Sequence, residues 1–384
     1  MRDKRVMIVS GEASGEMYGA RLVEEARRLD PELSFFGMGG VRMREAGVDI
    51  LVDAADMAVV GLIEVIAHFG VIKRAYTTLR NILRTDPPQL LILIDYPDFN
   101  LLLARAAKKA GVRVLYYISP QVWAWRAGRV HKIARLVDHM AVVFPFEVPF
   151  YEQAGAAVTF VGHPLVDMVN PVFSQTDSRR SCGLDPSRPV VGLFPGSRKG
   201  EVKRLFPVIL ATAGLLRERF PELQFVIPVA SSLTAGDLQP MLDQSGIAAT
   251  LVSGKVHDVI QSCDAVVAVS GTVTMEIALL GVPMVIIYKV SPLTYVIGTK
   301  LIRVDHIGIC NIVSGERVVP ELTQHDAEPG KIAAELGRML VDSEYAGSIR
   351  RKLGRVRSLL GESGASQRVA RLAIDLLKQG NANR

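Results

Sequence analysis

Cysteine is scarce in this chain, with three residues in 384, at positions 182, 263 and 310. An odd, widely spaced set with no Cys-x-x-Cys pair and no Cys/His cluster indicates neither a disulfide framework nor a zinc site. Aromatics make up 6%, with two tryptophans. No basic block with interleaved aromatics occurs, which speaks against nucleic acid as a partner. Long apolar runs are missing too: the longest, 57–72, is broken by Glu64 and His68 and falls short of a membrane-spanning helix. The opening Met-Arg-Asp-Lys-Arg runs straight into a strand-like segment, leaving no room for a signal peptide. A cytoplasmic protein is expected, peripheral to a membrane at most.

What is present suits a globular protein. Apolar residues make up 49%, and 45 basic against 39 acidic residues leave a net charge of +6. That balance favours an anionic partner, whether nucleic acid, anionic lipid or a phosphorylated substrate, without choosing among them. The length exceeds one ordinary core and predicts two domains. Apolar runs of three to seven residues at 6–9, 90–94, 112–118, 139–143 and 159–161, then at 190–194, 224–228, 249–252, 265–269 and 283–287, alternate with helical segments. Such runs predict parallel sheets covered on both faces. The fold class expected is α/β, with two doubly wound, Rossmann-like domains facing a central cleft. The Ser-, Asp-, Arg- and Pro-rich stretch 171–189 reads as the linker between an N-terminal domain (1–170) and a C-terminal one (190–342). Residues 343–384 read as helices that pack back on the N-terminal domain or on a second copy.

The strand-to-helix junctions carry the chemistry. Ser270-Gly271-Thr272 follows a strand and opens a helix holding one acid, Glu276, before a Gly-Val-Pro stop; Gly196-Ser197-Arg198 makes a second such junction. Small residues let backbone approach phosphate, and a helix N-terminus supplies free N–H groups. The pair can cradle a nucleotide diphosphate, with Glu276 accepting from ribose hydroxyls. Ser10-Gly-Glu12-Ala-Ser-Gly-Glu16 lacks the GxGxxG spacing of a dinucleotide site. Its two acids oppose phosphate and suit hydroxyls, although a plain tight turn explains the glycines equally well. Asp95-Tyr-Pro-Asp98-Phe-Asn100 ends a buried strand, where open α/β sheets bind ligands. Asp98 is either a general base toward a sugar hydroxyl or an N-cap. The spacing of its acids is not the DxD pattern of metal-dependent glycosyltransferases, so no metal or other cofactor is expected. Trp123 and Trp125 either stack on a ligand or pack beneath their loop. His163, in Gly-His-Pro, is either structural or in contact with a phosphate or leaving group. Over 57–83, Leu62, Ile66, Phe69, Ile72 or Lys73, Tyr76, Leu79 and Leu83 form one helical stripe. It is a buried face, or a surface that docks on lipid with Lys73 and Arg74 at headgroups.

Residues 10–16, 95–100, 119–125, 162–164, 195–198 and 270–283, in this order, resemble the lipid-A-disaccharide synthase family, and the similarity spans 6 to about 377. The resemblance implies a GT-B fold and an inverting transfer of 2,3-diacylglucosamine from its UDP donor to 2,3-diacylglucosamine 1-phosphate (lipid X). It implies that Asp98 deprotonates the acceptor 6-hydroxyl and that Arg198 neutralises the leaving diphosphate in place of a metal. Gly196, Ser197, Ser270, Gly271, Thr272, Glu276 and Asn311 would bind UDP, with Cys310 standing where the family usually has proline before that asparagine. Glu12, Glu16, Trp123 and His163 would lie on the acceptor side. Because both substrates carry acyl chains, the resemblance favours docking of Leu62, Ile66, Phe69, Ile72, Lys73 and Arg74 on the anionic inner leaflet, and allows a homodimer through 343–377. The rival readings are another GT-B UDP-sugar enzyme, an epimerase or a peptidoglycan-type transferase, and a non-catalytic UDP-sugar-binding protein.

Overall fold

The computed structural model describes residues 4–57, 62–121, 127–290 and 305–382. The chain divides into two compact units, 1–164 with 360–384, and 165–359.

The first unit is built on a parallel sheet of seven strands: β1 (Lys4–Ser10), β2 (Leu33–Gly39), β3 (Val48–Asp53), β4 (Leu90–Ile94), β5 (Arg113–Tyr117), β6 (His139–Val142) and β7 (Val158–Phe160). Their order is β3-β2-β1-β4-β5-β6-β7, so the winding reverses between β1 and β4. The second unit carries six strands: β8 (Val190–Phe194), β9 (Gln224–Val229), β10 (Thr250–Ser253), β11 (Ala265–Val269), β12 (Met284–Tyr288) and β13 (Glu321–Thr323), in the order β10-β9-β8-β11-β12-β13. Here the reversal falls between β8 and β11. All pairings are parallel.

The central strands read as the sequence predicts, for a simple reason. All five residues of β4 are 0% exposed, so both pleat faces meet helices and an uninterrupted apolar run is required. Each fully buried aliphatic side chain contributes roughly 1.5–3 kcal/mol. The sequence reading misses β2, β3 and β13. β2 is interrupted by glycines, one of them, Gly37, at φ +146 with the Ile8 carbonyl where a Cβ would sit. β3 is an edge strand with polar positions, and β13 has three residues.

Three expectations change. The stretch 171–189 is not a linker but lies inside the second unit. Its helix, Gln175–Ser181, is capped by Ser174 and held by Arg179, whose guanidinium donates to the carbonyls of Ser262 and Pro186 at 3.0 Å and to Asp264 at 2.7 Å. Residues 343–384 divide: Ala365–Ala382 packs on the first unit as expected, while the Ser343–Leu359 helix belongs to the second. The Ala365–Ala382 helix packs on the Ala13–Leu29 helix and buries Val369, Ala370 and Ala373. Arg368 ties it to the Val161 carbonyl at 2.7 Å. Its apolar face is thus used within its own unit.

The third change concerns the Leu62–Thr85 helix. The side chains of Leu62, Ile66 and Phe69 lie outside the described residues. In the described part the stripe turns inward: Leu79 and Leu83 are buried, Ile72 and Tyr76 pack against the core, and Tyr76 meets Phe99 edge-on at 6.2 Å. Ile72 is therefore a core-packing residue rather than a lipid-docking one, while Lys73 and Arg74 are exposed. Among the described residues no helix is long and apolar enough to cross a membrane. All three cysteines are buried and free.

Candidate active site

Four of the six motifs singled out by sequence follow β1, β4, β8 and β11, the strands that flank the two reversals. Open parallel sheets bind ligands at the carboxyl ends of such strands, where adjacent loops splay apart.

In the first unit Ser10 lies opposite Ile94 in the β1/β4 register, so the two loops emerge side by side. They touch: a Cβ on Gly11 would fall 2.5 Å from the Tyr96 ring. Asp95 and Tyr96 are both left-handed, at φ 46 and 47, and Ile118 after β5 is at φ 63. Left-handed non-glycine backbone is costly and persists where the surroundings over-determine it. Here the surroundings do. Buried Asn100 donates to the carbonyls of Ile94 at 3.1 Å and Asp95 at 2.7 Å. Tyr116 Oη donates to the same Asp95 carbonyl at 2.6 Å, and the Asp95 N–H donates to Tyr117 at 3.1 Å. Asn100 and Tyr116 therefore set the loop's shape. Asn100 was legible only as the end of a motif, and Tyr116 only as a strand residue.

This scaffold sorts the acids. Asp98 stands in the first turn of the Pro97–Lys109 helix but is not its cap, a position held by Tyr96. Its side chain is 78% exposed and accepts from Arg129 at 3.3 Å. Asp95 is drawn inward, and burial, with the charge of Glu12 second, pushes its carboxyl from 3.8 to about 7. Glu12 is exposed at the N-cap of the Ala13–Leu29 helix. Glu16 is engaged structurally. Its Oε1 accepts from the Arg42 N–H at 2.7 Å, capping the short Val41–Glu45 helix. His163 is buried with Tyr18 and Phe144, ring centroids at 6.3 and 5.4 Å, and desolvation pushes it down to about 3. It is neutral at physiological pH, which leaves it no role as a cation toward phosphate. Trp123 and Trp125 lie outside the described residues. Ser119 in the same motif is buried and donates to the Glu147 carboxylate.

The second unit's reversal has the opposite character. Pro195-Gly196-Ser197-Arg198 leads from β8 into the Lys199–Arg219 helix, with Gly196 at φ +99 and Glu201 and Val269 within 4 Å of where a Cβ would be. Arg198 is the N-cap residue, exposed and paired with Glu201 at 2.9 Å. The Ser197 carbonyl accepts from Ser232 at 2.5 Å, which fixes the loop from the β9 side. After β11, Ser270 and Gly271 open the Thr272–Leu279 helix; Gly271 and Thr272 are exposed. Buried Thr274 donates its hydroxyl to the Gly271 carbonyl at 2.8 Å, locking the first turn. The first N–H groups of a helix have no partner within it, and such termini suit anions in general. Glu276 follows one turn on, 14% exposed, with His257 Nε2 at 3.3 Å from its Oε2. Sequence reading missed His257, which shares no motif with Glu276.

Asn311 differs from its expected role. It is 0% exposed, its Nδ2 donates to the Val319 carbonyl at 3.0 Å and Glu321 at 2.6 Å, and its Oδ1 accepts from the Val318 and Val319 N–H groups. Two donors and two acceptor sites are all an amide has. Asn311 staples the 318–321 turn and has no capacity left for a nucleotide. Among the described residues no group of three or more His, Cys, Asp or Glu side chains gathers as a metal site.

A family model described as lipid-A-disaccharide synthetase matches residues 6–372. The lipid-A-disaccharide synthase of Geobacter sulfurreducens is 65% identical over 373 residues, covering 97% of each chain. That of Nitrosococcus oceani is 47% identical over 379 residues, covering 99% of this chain and 98% of its own. Among solved structures, a UDP-GlcNAc 2-epimerase from Neisseria meningitidis bound to UDP-GlcNAc superposes with a TM-score of 0.68 at 13% identity, covering 97% of this chain and all of its own. The calicheamicin glycosyltransferase CalG4 gives 0.61 at 17% identity, covering 99% of each. These two likenesses speak to the fold, the two-Rossmann architecture of GT-B enzymes. With sequence identity of this extent along the full length, the chain belongs to the lipid-A-disaccharide synthase family and is a glycosyltransferase that forms the lipid A disaccharide.

Proposed function

We propose that the enzyme transfers 2,3-diacylglucosamine from UDP-2,3-diacylglucosamine to the 6-hydroxyl of lipid X, with inversion. The observation that carries this reading is the contrast between the two reversals. Carboxylates stand at β1/β4, while small residues, an arginine and a helix N-terminus stand at β8/β11. The second set binds UDP: Gly196, Ser197, Ser270, Gly271 and Thr272 approach the diphosphate, and Glu276 takes the ribose hydroxyls. Asp98 accepts the proton of the acceptor 6-hydroxyl as that oxygen bonds to the anomeric carbon and the bond to UDP breaks. Arg198 neutralises the departing diphosphate, the kind of charge stabilisation that dominates such steps. Glu12 contacts acceptor hydroxyls. No metal enters this scheme.

The test is UDP release from UDP-2,3-diacylglucosamine with and without lipid X, in detergent with EDTA. Release that depends on acceptor, with a disaccharide product, supports the scheme. Release without acceptor points to a hydrolase or epimerase path. Tight UDP binding without release would leave only a binding protein. The acyl chains of both substrates further support docking at an anionic inner leaflet through the basic border of the Leu62–Thr85 helix, where Lys73 and Arg74 are exposed. Unchanged sedimentation with anionic vesicles after Lys73→Glu and Arg74→Glu would remove that part of the proposal.

A further inference from the structure

Glu276 is the acid assigned above to the ribose, and it does not stand alone. It sits on the Thr272–Leu279 helix; the neighbouring helix, Val256–Ser262, brings His257 Nε2 to 3.3 Å from its Oε2. Both side chains are mostly buried, at 25% and 14% exposure. A carboxylate this close to an imidazole nitrogen favours the protonated, cationic form of the ring. The charged groups that bear on it are Glu276 from the facing helix and Asp258 from its own. Asp258 is itself occupied by the Val172 N–H at 3.0 Å. Both neighbours are acids, and the hydrogen bond to Glu276, more than any other influence, raises the imidazole above its ordinary 6.5.

We propose that His257 is a positioning residue for nucleotide binding, holding the Glu276 carboxylate for the ribose from the neighbouring helix and making nucleotide affinity fall as the imidazole loses its proton. The inference rests on the reading of Glu276 as the ribose ligand. A carboxylate with two oxygens can give one to His257 and keep the other for ribose hydroxyls. In metal sites such outer partners fix the orientation of a ligating group, and losing one typically costs about 10–100-fold. When the imidazole is neutral, the charge that holds the carboxylate is gone and the Glu276 rotamer is less firmly fixed.

UDP binding to the full-length enzyme, measured by calorimetry from about pH 6 to about pH 9, tests this. The wild-type protein is expected to lose about tenfold in affinity across that range, the low end of what losing an outer partner costs a ligating group. His257→Gln should bind as the wild type does at high pH and respond to pH only as UDP itself titrates. His257→Arg keeps the cation and should retain low-pH affinity over the whole range. Equal affinities and equal pH profiles for wild type and His257→Gln would overturn the proposal. Glu276→Gln and 2′-deoxy-UDP examine the underlying reading separately. If Glu276→Gln binds UDP as tightly as wild type, the ribose assignment fails, and the positioning role with it. If Glu276→Gln weakens UDP but His257→Gln does not, the assignment stands and the positioning role fails. Weak binding by His257→Gln with full recovery in His257→Arg distinguishes positioning from a general loss of fold.

Discussion

At the β1/β4 reversal three carboxylates, Glu12, Asp95 and Asp98, stand on adjacent loops, and the backbone at Asp95 and Tyr96 is left-handed. At the β8/β11 reversal the corresponding loops hold Gly196, Ser197, Arg198, Ser270 and Gly271, and the left-handed backbone there falls on Gly196. One topology has been given opposite electrostatics and opposite mechanical character. The acidic site keeps its shape through buried polar bonds from Asn100 and Tyr116, because non-glycine residues must be held in an unfavourable conformation. At the second site the left-handed position is a glycine, which takes that conformation at no steric cost, and the bonds from Ser232 and Thr274 fix loops that carry no such strain. The first arrangement suits deprotonation of a hydroxyl and the second suits a diphosphate.

The comparison is broken most severely at Asp98. Asp98→Asn should lower turnover by about 10²–10⁴-fold, the range of general-base catalysis, while calorimetry finds UDP affinity unchanged. An equal loss of UDP affinity would mean that the two sites do not divide the work. Arg198→Ala should reduce kcat/KM for UDP release by about 10²–10³-fold, as removal of a charge-stabilising donor does, and UDP affinity should drop with it. Gly11→Ala would push a methyl into the Tyr96 ring. It should cost about 1–3 kcal/mol in denaturant unfolding, the usual range for overpacking, whereas an equivalent change at exposed Gly271, which has nothing within 4 Å of its Cβ, should be tolerated by the fold.

The smallest effect concerns pH. The Asp95 carboxyl is raised from 3.8 to about 7, so the folded state holds this proton more tightly than the unfolded chain. Stability therefore falls as pH rises through that window, and the charged form is a liability above it. Asp95→Asn should match wild type near pH 4 and exceed it by roughly 1–2 kcal/mol near pH 8, less than the full shift implies because solvent reaches part of the group. Chemical denaturation at the two pH values reads this directly. A gain at pH 4 instead would mean that Asp95 is charged in the fold.

Much of this was legible in the sequence. Buried central strands require continuous apolar runs, so β1, β4, β8 and β11 announce themselves, and small or acidic residues immediately after them mark the loops. Edge strands are less legible, because a half-exposed strand tolerates Asp49 and Asp53, and a glycine-rich strand such as β2 reads as a turn. Composition misled at 171–189, where a polar stretch looks like linker until Arg179 is seen donating to the 262–264 segment. The resemblance misled at Asn311, since an amide's partners are chosen by folding and not by its neighbours in the chain.

By itself the sequence determined the α/β class, the four strand-to-helix loops, their opposed charges and the family resemblance, because each is written in contiguous residues whose period or chemistry is local. Only the tertiary structure decided that those loops pair at the two reversals of sheet order, that the Ala365–Ala382 helix returns to the first unit, and that the 72–83 stripe faces a core. It also decided which polar groups are already occupied: Glu16 by the Arg42 N–H, Asn311 by its turn, and Glu276 in part by His257. These depend on contacts between residues far apart in the chain, and a buried polar group must take whichever partner the fold brings to it.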